Sequence, residues 1–366
     1  MCAAFKRREE VNGVKKIKCF VLAALMLLSL TACGAQKNTT KTVYAMDTVM
    51  NLTAYGRDAE AALNEAEQTL CALDKLLDRH DEGSAVSALN RGETVENAEI
   101  STLLEKAASM RTETNGAFDP TLAPVLEAWG FGSEHPRVPP DDELAVLLQG
   151  VGTDPFYTAD GDALTLSRGV QIDLGGIAKG YAGDCVKAIF EAHGCTGVID
   201  LGGDVVFAGM KEDGSPWRIA IKDPNKPSDF LGTLSANNEC AVVTSGVYER
   251  SFTENGVTYH HIIDPATGKP AESGLVSVTV ICGYGEAADA LSTALFVMGA
   301  DKAEKLCAKA FSAALSSSVP SDRTLFSYLL VTDDGRVLYS NDLADDFIPN
   351  TESGYTYEKL PPALTK

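Results

Sequence analysis

Apolar residues recur along this chain with a period that changes from region to region. From Asp58 to Arg79, Leu63, Ala66, Leu70, Leu73 and Leu77 fall three or four positions apart, which predicts an amphipathic helix. Ile100, Leu103, Leu104, Ala107 and Met110 predict a second helix from Asn97 to near Thr114, stopped by Gly116. The β-branched residues of Val43–Tyr55 predict an opening strand. Pro136, Pro139 and Pro140 mark a surface excursion before a short helix near Glu143–Leu148. Beyond it, Asp160-Gly161, Asp213-Gly214, Asn255-Gly256 and Asp334-Gly335 are hairpin turn signals flanked by strand-like runs. Helical stretches at about Ile177–His193 and Ala287–Ala313 interrupt those strands. Early helices followed by mixed strands and helices predict an α+β fold with mixed or antiparallel sheets flanked by helices, not a doubly wound parallel one.

The N-terminus has a different pattern. Lys6, Arg7, Arg8, Lys15, Lys16 and Lys18 precede an apolar run from Cys19 to Leu30, too short for the roughly 20 residues a membrane span needs. That is the layout of a secretory signal peptide. It ends in Leu30-Thr31-Ala32-Cys33-Gly34, which resembles a bacterial lipobox whose cysteine receives lipid and becomes the new N-terminus. The expected organisation is a signal peptide over residues 1–32, a lipidated polar tether over 33–42, one domain over 43–345 and a C-terminal tail over 346–366. Anchored through Cys33, the body is expected on the extracytoplasmic face of a bacterial membrane.

Charge narrows the partners. The chain of 366 residues carries 31 Lys+Arg against 51 Asp+Glu, a formal net charge of -20. Loss of the signal peptide removes six basic and two acidic residues and makes the body more acidic still. Such a surface repels phosphate backbones, which argues against nucleic acid as a partner. Any phosphate-bearing ligand then needs a metal, a local Lys or backbone N–H groups. Six cysteines remain in the body (Cys71, Cys185, Cys195, Cys240, Cys282 and Cys307) without a CxxC pair or Cys/His cluster, and most are expected to be free thiols.

Several constellations can carry chemistry. Gln171 to Tyr181 reads as a strand ending at Asp173, a turn through Gly175 and Gly176, and a helix start carrying Lys179. Gly pairs admit close backbone approach and helix N-termini attract phosphate, although a plain strand–helix turn has the same pattern. Neither GxxxxGK[ST] nor GxGxxG is present. Asp289 and Thr293 are i and i+4 on a helix, so both face one way; a carboxylate and a hydroxyl suit Mg²⁺, while an Asp near a helix start needs no metal to explain it. His260 and His261 are adjacent, so at most one faces a site; His261 and Asp264 are candidate proton acceptors. Asp119 before Pro120 can cap a helix, and that alone would account for it. Ser245 lies in Thr244–Arg250, which lacks the GxSxG elbow of a hydrolase nucleophile.

The ordered set resembles one family. Met46-Asp47-Thr48, Ser84–Asn90, Gly116–Thr121 with Trp129-Gly130-Phe131, DLGGIAKGY from Asp173, LGGD from Leu201, TSGVYER from Thr244, HHIIDPATGKP from His260 and ADALSTALFVMG from Ala288 follow each other as in the ApbE family, the FAD:protein FMN transferases. The resemblance covers Val43 to Ser340 and implies the ApbE-like fold. It implies FAD as substrate, Mg²⁺ as cofactor, transfer of FMN to a threonine hydroxyl of an acceptor flavoprotein, and release of AMP. By analogy with the family, the acceptor implied is a flavin-carrying subunit of an Rnf or sodium-pumping quinone reductase complex, or another extracellular electron-transfer protein. It implies Mg²⁺ ligation by Asp289, Thr293 and the Gly176 carbonyl, and an FAD site lined by Met46, His80, Ala117, Phe118, Asp119, Asp173, Lys179 and Ile263. His261 is the preferred base for the incoming hydroxyl, with Asp264 second. Two positions depart from the pattern. His80 stands where many relatives have Tyr, near the flavin ring, which leaves FAD hydrolysis to FMN and AMP as an alternative, beside a non-catalytic flavin-binding role. Val247 replaces an acidic residue in TSG-x-YER.

Overall fold

The first expected strand is a hairpin. In a computed structural model that describes residues 38–236, 239–316 and 326–360, β1 (Asn38–Ala45) and β2 (Thr48–Tyr55) flank Met46 and Asp47, whose φ angles are 51° and 58°. Two successive left-handed residues are what a type I′ hairpin turn requires, and neither is the Gly or Asn that announces one. The Asp74 carboxylate accepts the Met46 N–H at 2.8 Å and holds the turn. Strand β1 also takes in Asn38–Thr42, which corrects the expected tether: that end of it is sheet. The signal peptide, Cys33 and the rest of the tether lie outside the described residues.

Helix α1 (Ala59–Leu77) buries the five apolar residues its period predicted. The Ser84 hydroxyl caps α2 (Ala85–Asn90), and the Asn97 side chain caps α3 (Ala98–Glu113) beyond β3 (Val95–Glu96). Asn115 and Gly116, both at positive φ, turn the chain away after α3. Then come α4 (Ala123–Trp129), α5 (Asp141–Leu147), the Asp160-Gly161 hairpin of β4 (Tyr157–Asp160) and β5 (Ala163–Leu166), and α6 (Gly175–Ala192). Strands β6 (Thr196–Asp200), β7 (Val205–Ala208), β8 (Trp217–Lys222), β9 (Phe230–Ala236) and β10 (Ala241–Gly246) precede the Asn255-Gly256 hairpin of β11 (Ser251–Glu254) and β12 (Val257–His260). The short pair β13 (Ile263–Asp264) and β14 (Lys269–Pro270) leads into β15 (Leu275–Cys282). The expected helix over Ala287–Ala313 is two helices, α7 (Gly285–Met298) and α8 (Ala300–Ser316), because Gly299 at φ 76° breaks the run. Strands β16 (Phe326–Thr332) and β17 (Arg336–Tyr339) close the Asp334-Gly335 hairpin, and β18 (Phe347–Pro349) and β19 (Thr356–Lys359) follow.

Nine strands form the main sheet in the order β1-β2-β6-β7-β10-β15-β16-β17-β19. Neighbours from β2 to β17 are antiparallel and β17–β19 is parallel, so the sheet is mixed as expected. A three-stranded sheet, β18-β9-β8, packs on one face. Asp213-Gly214 therefore closes no hairpin: β7 and β8 belong to different sheets. Residues 346–366 were expected to be a tail, yet β18 and β19 are integral strands.

The sheet is covered on both sides, which explains its uninterrupted apolar strands. In β7, Val206 and Ala208 join the core built with α1, α6 and α7, while Val205 and Phe207 join Trp217, Ile221 and Leu234 of the smaller sheet. In β16, Leu330 faces the first core and Leu329 and Val331 the second. All six body cysteines are free. Among the described residues no helix is long and apolar enough to cross a membrane.

Candidate active site

The start of α6 is built around two close approaches. Asp173 accepts the Gly175 N–H at 2.7 Å and pairs with Arg79 at 2.6 Å, so its carboxylate holds the turn into the helix. A Cβ at Gly176 would lie 3.3 Å from the Phe118 ring and 3.7 Å from the Thr293 hydroxyl, placing that backbone directly beside α7. One turn on, a Cβ at Gly180 would meet the Gly285 carbonyl oxygen at 2.0 Å. Helices α6 and α7 thus cross backbone to backbone. The Gly180 N–H donates to Asp289 at 3.0 Å across that crossing.

Lys179 reaches from α6 to Asp204, the last residue of LGGD, which is 3% exposed and also accepts the Thr244 N–H at 3.1 Å. Burial alone would lower the Lys179 ammonium, but Asp204, Asp289 and Glu249 outweigh it and raise it. Burial pushes the Asp289 carboxyl up to about 6, with Asp204 adding to the rise and Lys179 opposing it. Glu249 opens into the cavity, where desolvation by its walls and the charges of Asp204 and Asp289 lift it to about 7 against Lys179. Ser245 on β10 links to α7 through Ser292 at 2.7 Å and Thr293 at 3.4 Å.

Together these elements enclose a cavity of ≈ 550 Å³. Of the residues expected there, Met46, His80, Ala117, Phe118, Asp119, Asp173, Gly176, Lys179, His261, Ile263, Asp289 and Thr293 all line it. Asp264 does not. Its carboxylate accepts the Ala266 N–H at 2.9 Å and its carbonyl accepts from Thr267 and Gly268, so it shapes the turn before β14 and is corrected from candidate base to turn residue. Asp119 caps the turn at Pro120, as its position suggested, and is held by Arg111 at 2.9 Å while still bordering the cavity. His260 and His261 do diverge: His260 stands edge-on to Phe296, and only His261 borders the cavity. The backbone N–H and Nδ1 of His261 face the Arg250 carbonyl at 3.1 and 3.2 Å. Burial, then the Arg250 charge, lowers its imidazole to about 4. His80 is exposed at the mouth.

Asp204, Glu249 and Arg250 were visible as motif letters but carried no assigned role. Their signal is a charged residue in the short connection between two strands, which gains meaning only when two such connections meet. The wall carries seven acids (Asp47, Asp74, Asp78, Asp119, Asp173, Glu249 and Asp289) against Arg79, Lys179 and Arg250. Among the described residues no group of three His, Cys, Asp or Glu is arranged to hold a metal. A cation here would instead use Asp289, the Thr293 hydroxyl and backbone oxygen, a hard-oxygen set of the kind Mg²⁺ takes.

The fold is that of the ApbE family: residues 46–315 match its sequence profile, and the chain belongs to that family. The FAD:protein FMN transferase of Treponema pallidum is 30% identical over 76% of this chain and 84% of its own. The enzyme of the same description from Vibrio cholerae is 32% identical over 67% of this chain and 75% of its own. The crystal structure of the ApbE protein of Thermotoga maritima superposes with a TM-score of 0.75 at 33% identity, covering 84% of this chain and 98% of that one.

Proposed function

We propose that this chain is a Mg²⁺-dependent FAD:protein FMN transferase that moves the FMN half of FAD to a threonine hydroxyl of an acceptor protein and releases AMP. The observation that carries the reading is the convergence of Asp289, Thr293 and the Gly176 backbone in a cavity whose wall is strongly acidic. An anionic dinucleotide is repelled by that wall unless a cation offsets it. Asp289, Thr293 and the Gly176 carbonyl would hold Mg²⁺. Bound there, the ion supplies charge neutralisation on the pyrophosphate, the term on which phosphoryl transfer chiefly depends.

The residues of the chain do the rest. Phe118 and Ile263 offer apolar wall to a flavin, and Arg79 and Lys179 offer positive charge to phosphate. His261 stays neutral above pH of about 4, so its imidazole is free to accept a proton. With Nδ1–H given to the Arg250 carbonyl, Nε2 is the accepting atom. The threonine oxygen attacks the FMN phosphorus, the bond from that phosphorus to the AMP oxygen breaks, and the hydroxyl proton passes to His261. Positioning of this kind contributes much of the rate in such reactions.

The lipobox residues Leu30–Cys33 support attachment to the extracytoplasmic membrane face. An extracytoplasmic electron-transfer protein, such as an Rnf or quinone-reductase subunit, fits that location as acceptor. The test incubates the full chain with FAD, Mg²⁺ and a threonine-bearing flavoprotein domain. Covalent flavin fluorescence on the acceptor supports transfer; FMN and AMP without labelled acceptor would replace it with FAD hydrolysis, and unchanged FAD would leave binding alone.

A further inference from the structure

The α6–α7 crossing is tied a second time, through residues that do not line the cavity. Asp184 of α6 accepts the N–H groups of Gly285 at 2.8 Å and Glu286 at 3.0 Å, the first two of α7. Tyr284, the residue before that helix, supplies no side-chain cap, so Asp184 holds these donors from the neighbouring helix. Glu286 is itself 3% exposed. Lys106 of α3 takes its Oε1, while Oε2 is buried with no donor. Because it accepts the Glu286 N–H, the Asp184 carboxylate stands beside the Glu286 side chain, and the two raise and lower each other's acidity. Two carboxylates can bond only with a proton between them, and such a proton would supply the donor Oε2 lacks.

We propose that Asp184 is a positioning residue: sharing one proton with Glu286, it clamps the start of α7 onto α6 and so sets the spacing of Asp289 and Thr293 from Gly176. The clamp acts through short levers. Gly285 and Asp289 are one helical turn apart on α7, as Gly180 and Gly176 are on α6. The inference rests on the Mg²⁺ reading above.

Burial and the Glu286 charge push the Asp184 carboxyl up to about 8, although the two backbone N–H groups pull the other way. Glu286 is lowered, with Lys106 among the causes, so the proton resides on Asp184. The other groups around the pair leave this unchanged. Glu99 of α3 is engaged by the Tyr181 hydroxyl, and Lys187 of α6 donates to the Gly283 carbonyl at 3.5 Å. The Cys185 and Cys282 thiols are both raised to about 11 and stay neutral. As pH rises through about 8, the pair loses its proton and two negative charges face each other at the start of α7, with Lys106 paired to one of them. The clamp then loosens.

The experiment measures Mn²⁺ affinity of the full chain by electron paramagnetic resonance from pH 6.5 to 9, with thermal unfolding recorded in parallel. Wild-type affinity should fall above pH 8. Asp184→Asn, whose neutral amide can donate to Glu286 but keeps only one acceptor for the two backbone N–H groups, should bind somewhat more weakly at neutral pH and lose the alkaline fall. Asp184→Ala should bind about tenfold more weakly at pH 7, the usual scale for residues supporting a metal ligand. An Asn variant that kept the wild-type alkaline fall would overturn the clamp, and so would an Ala variant with wild-type affinity or with only a lowered unfolding temperature. A wild-type chain that binds Mn²⁺ but fails these comparisons refutes the clamp alone. One that binds no Mn²⁺ refutes the metal reading and the clamp with it.

Discussion

Replacing Gly180 by Ala tests the helix crossing on which the site depends. In most helices this change is favourable by about 1 kcal/mol, because Ala is the better helix former. Here the added methyl would sit 2.0 Å from the Gly285 oxygen, 2.4 Å from its carbonyl carbon and 2.8 Å from the Glu286 nitrogen. Those atoms are backbone and cannot rotate away. Ordinary contact begins at 3.4 Å, so the helices must part by more than an ångström. Overpacking of this kind costs roughly 1–3 kcal/mol. The larger effect falls on chemistry, since the same displacement separates Gly176 from Asp289 and lengthens the Gly180-to-Asp289 hydrogen bond. Misplacement by about 1 Å can cost on the order of 10²-fold in rate. The assay pairs thermal unfolding with FMN transfer followed by in-gel flavin fluorescence across a Mg²⁺ series. A lower unfolding temperature, slower transfer and a raised Mg²⁺ requirement are expected. An Ala variant with wild-type rate and wild-type Mg²⁺ dependence would refute the crossing as the element that sets the site.

Four further outcomes follow from the same geometry. Asp289→Asn should abolish Mg²⁺-stimulated turnover, read as released AMP across a metal titration; full activity would remove Asp289 from the ligand set. His261→Gln should slow acceptor labelling by about 10²- to 10⁴-fold, the usual worth of a general base, with FAD binding kept in a fluorescence titration. Because the imidazole is lowered to about 4, the wild-type rate should lose its base only as pH falls through that value, not near 6.5. Lys179→Met leaves Asp204 buried without its cation, and breaking such a pair costs about 3–5 kcal/mol, which urea unfolding at pH 7 would measure.

The elements were legible because local burial imposes local periods. Leu63 to Leu77 had to form one helix face, and Asn97 and Gly116 bracket α3 by capping chemistry that depends on near neighbours alone. The failures are equally local in origin. Met46-Asp47 turns the chain without a Gly or Asn, so the hairpin left no signature. Gly299 splits α7 from α8 inside a continuous apolar period. Asp213-Gly214 makes a turn, but a turn signal does not say whether the flanking strands share a sheet. Asp264 looked like a proton acceptor because its type allows it, whereas its carboxylate is engaged by its own turn.

By itself, then, the sequence determined the α+β class, most helix limits, the cavity-lining identity of Asp289 and Thr293 as a same-face pair, and the family through eight ordered motifs. Spacing of three, four or two residues is enough for that, because it decides which side chains share a face. Only the tertiary structure decided that Lys179 meets Asp204, that His261 rather than Asp264 borders the cavity, and that Glu249 and Arg250 join it. These pairings come from strand order and from a backbone contact between Gly180 and Gly285. Both depend on how distant segments pack, and no local period records that.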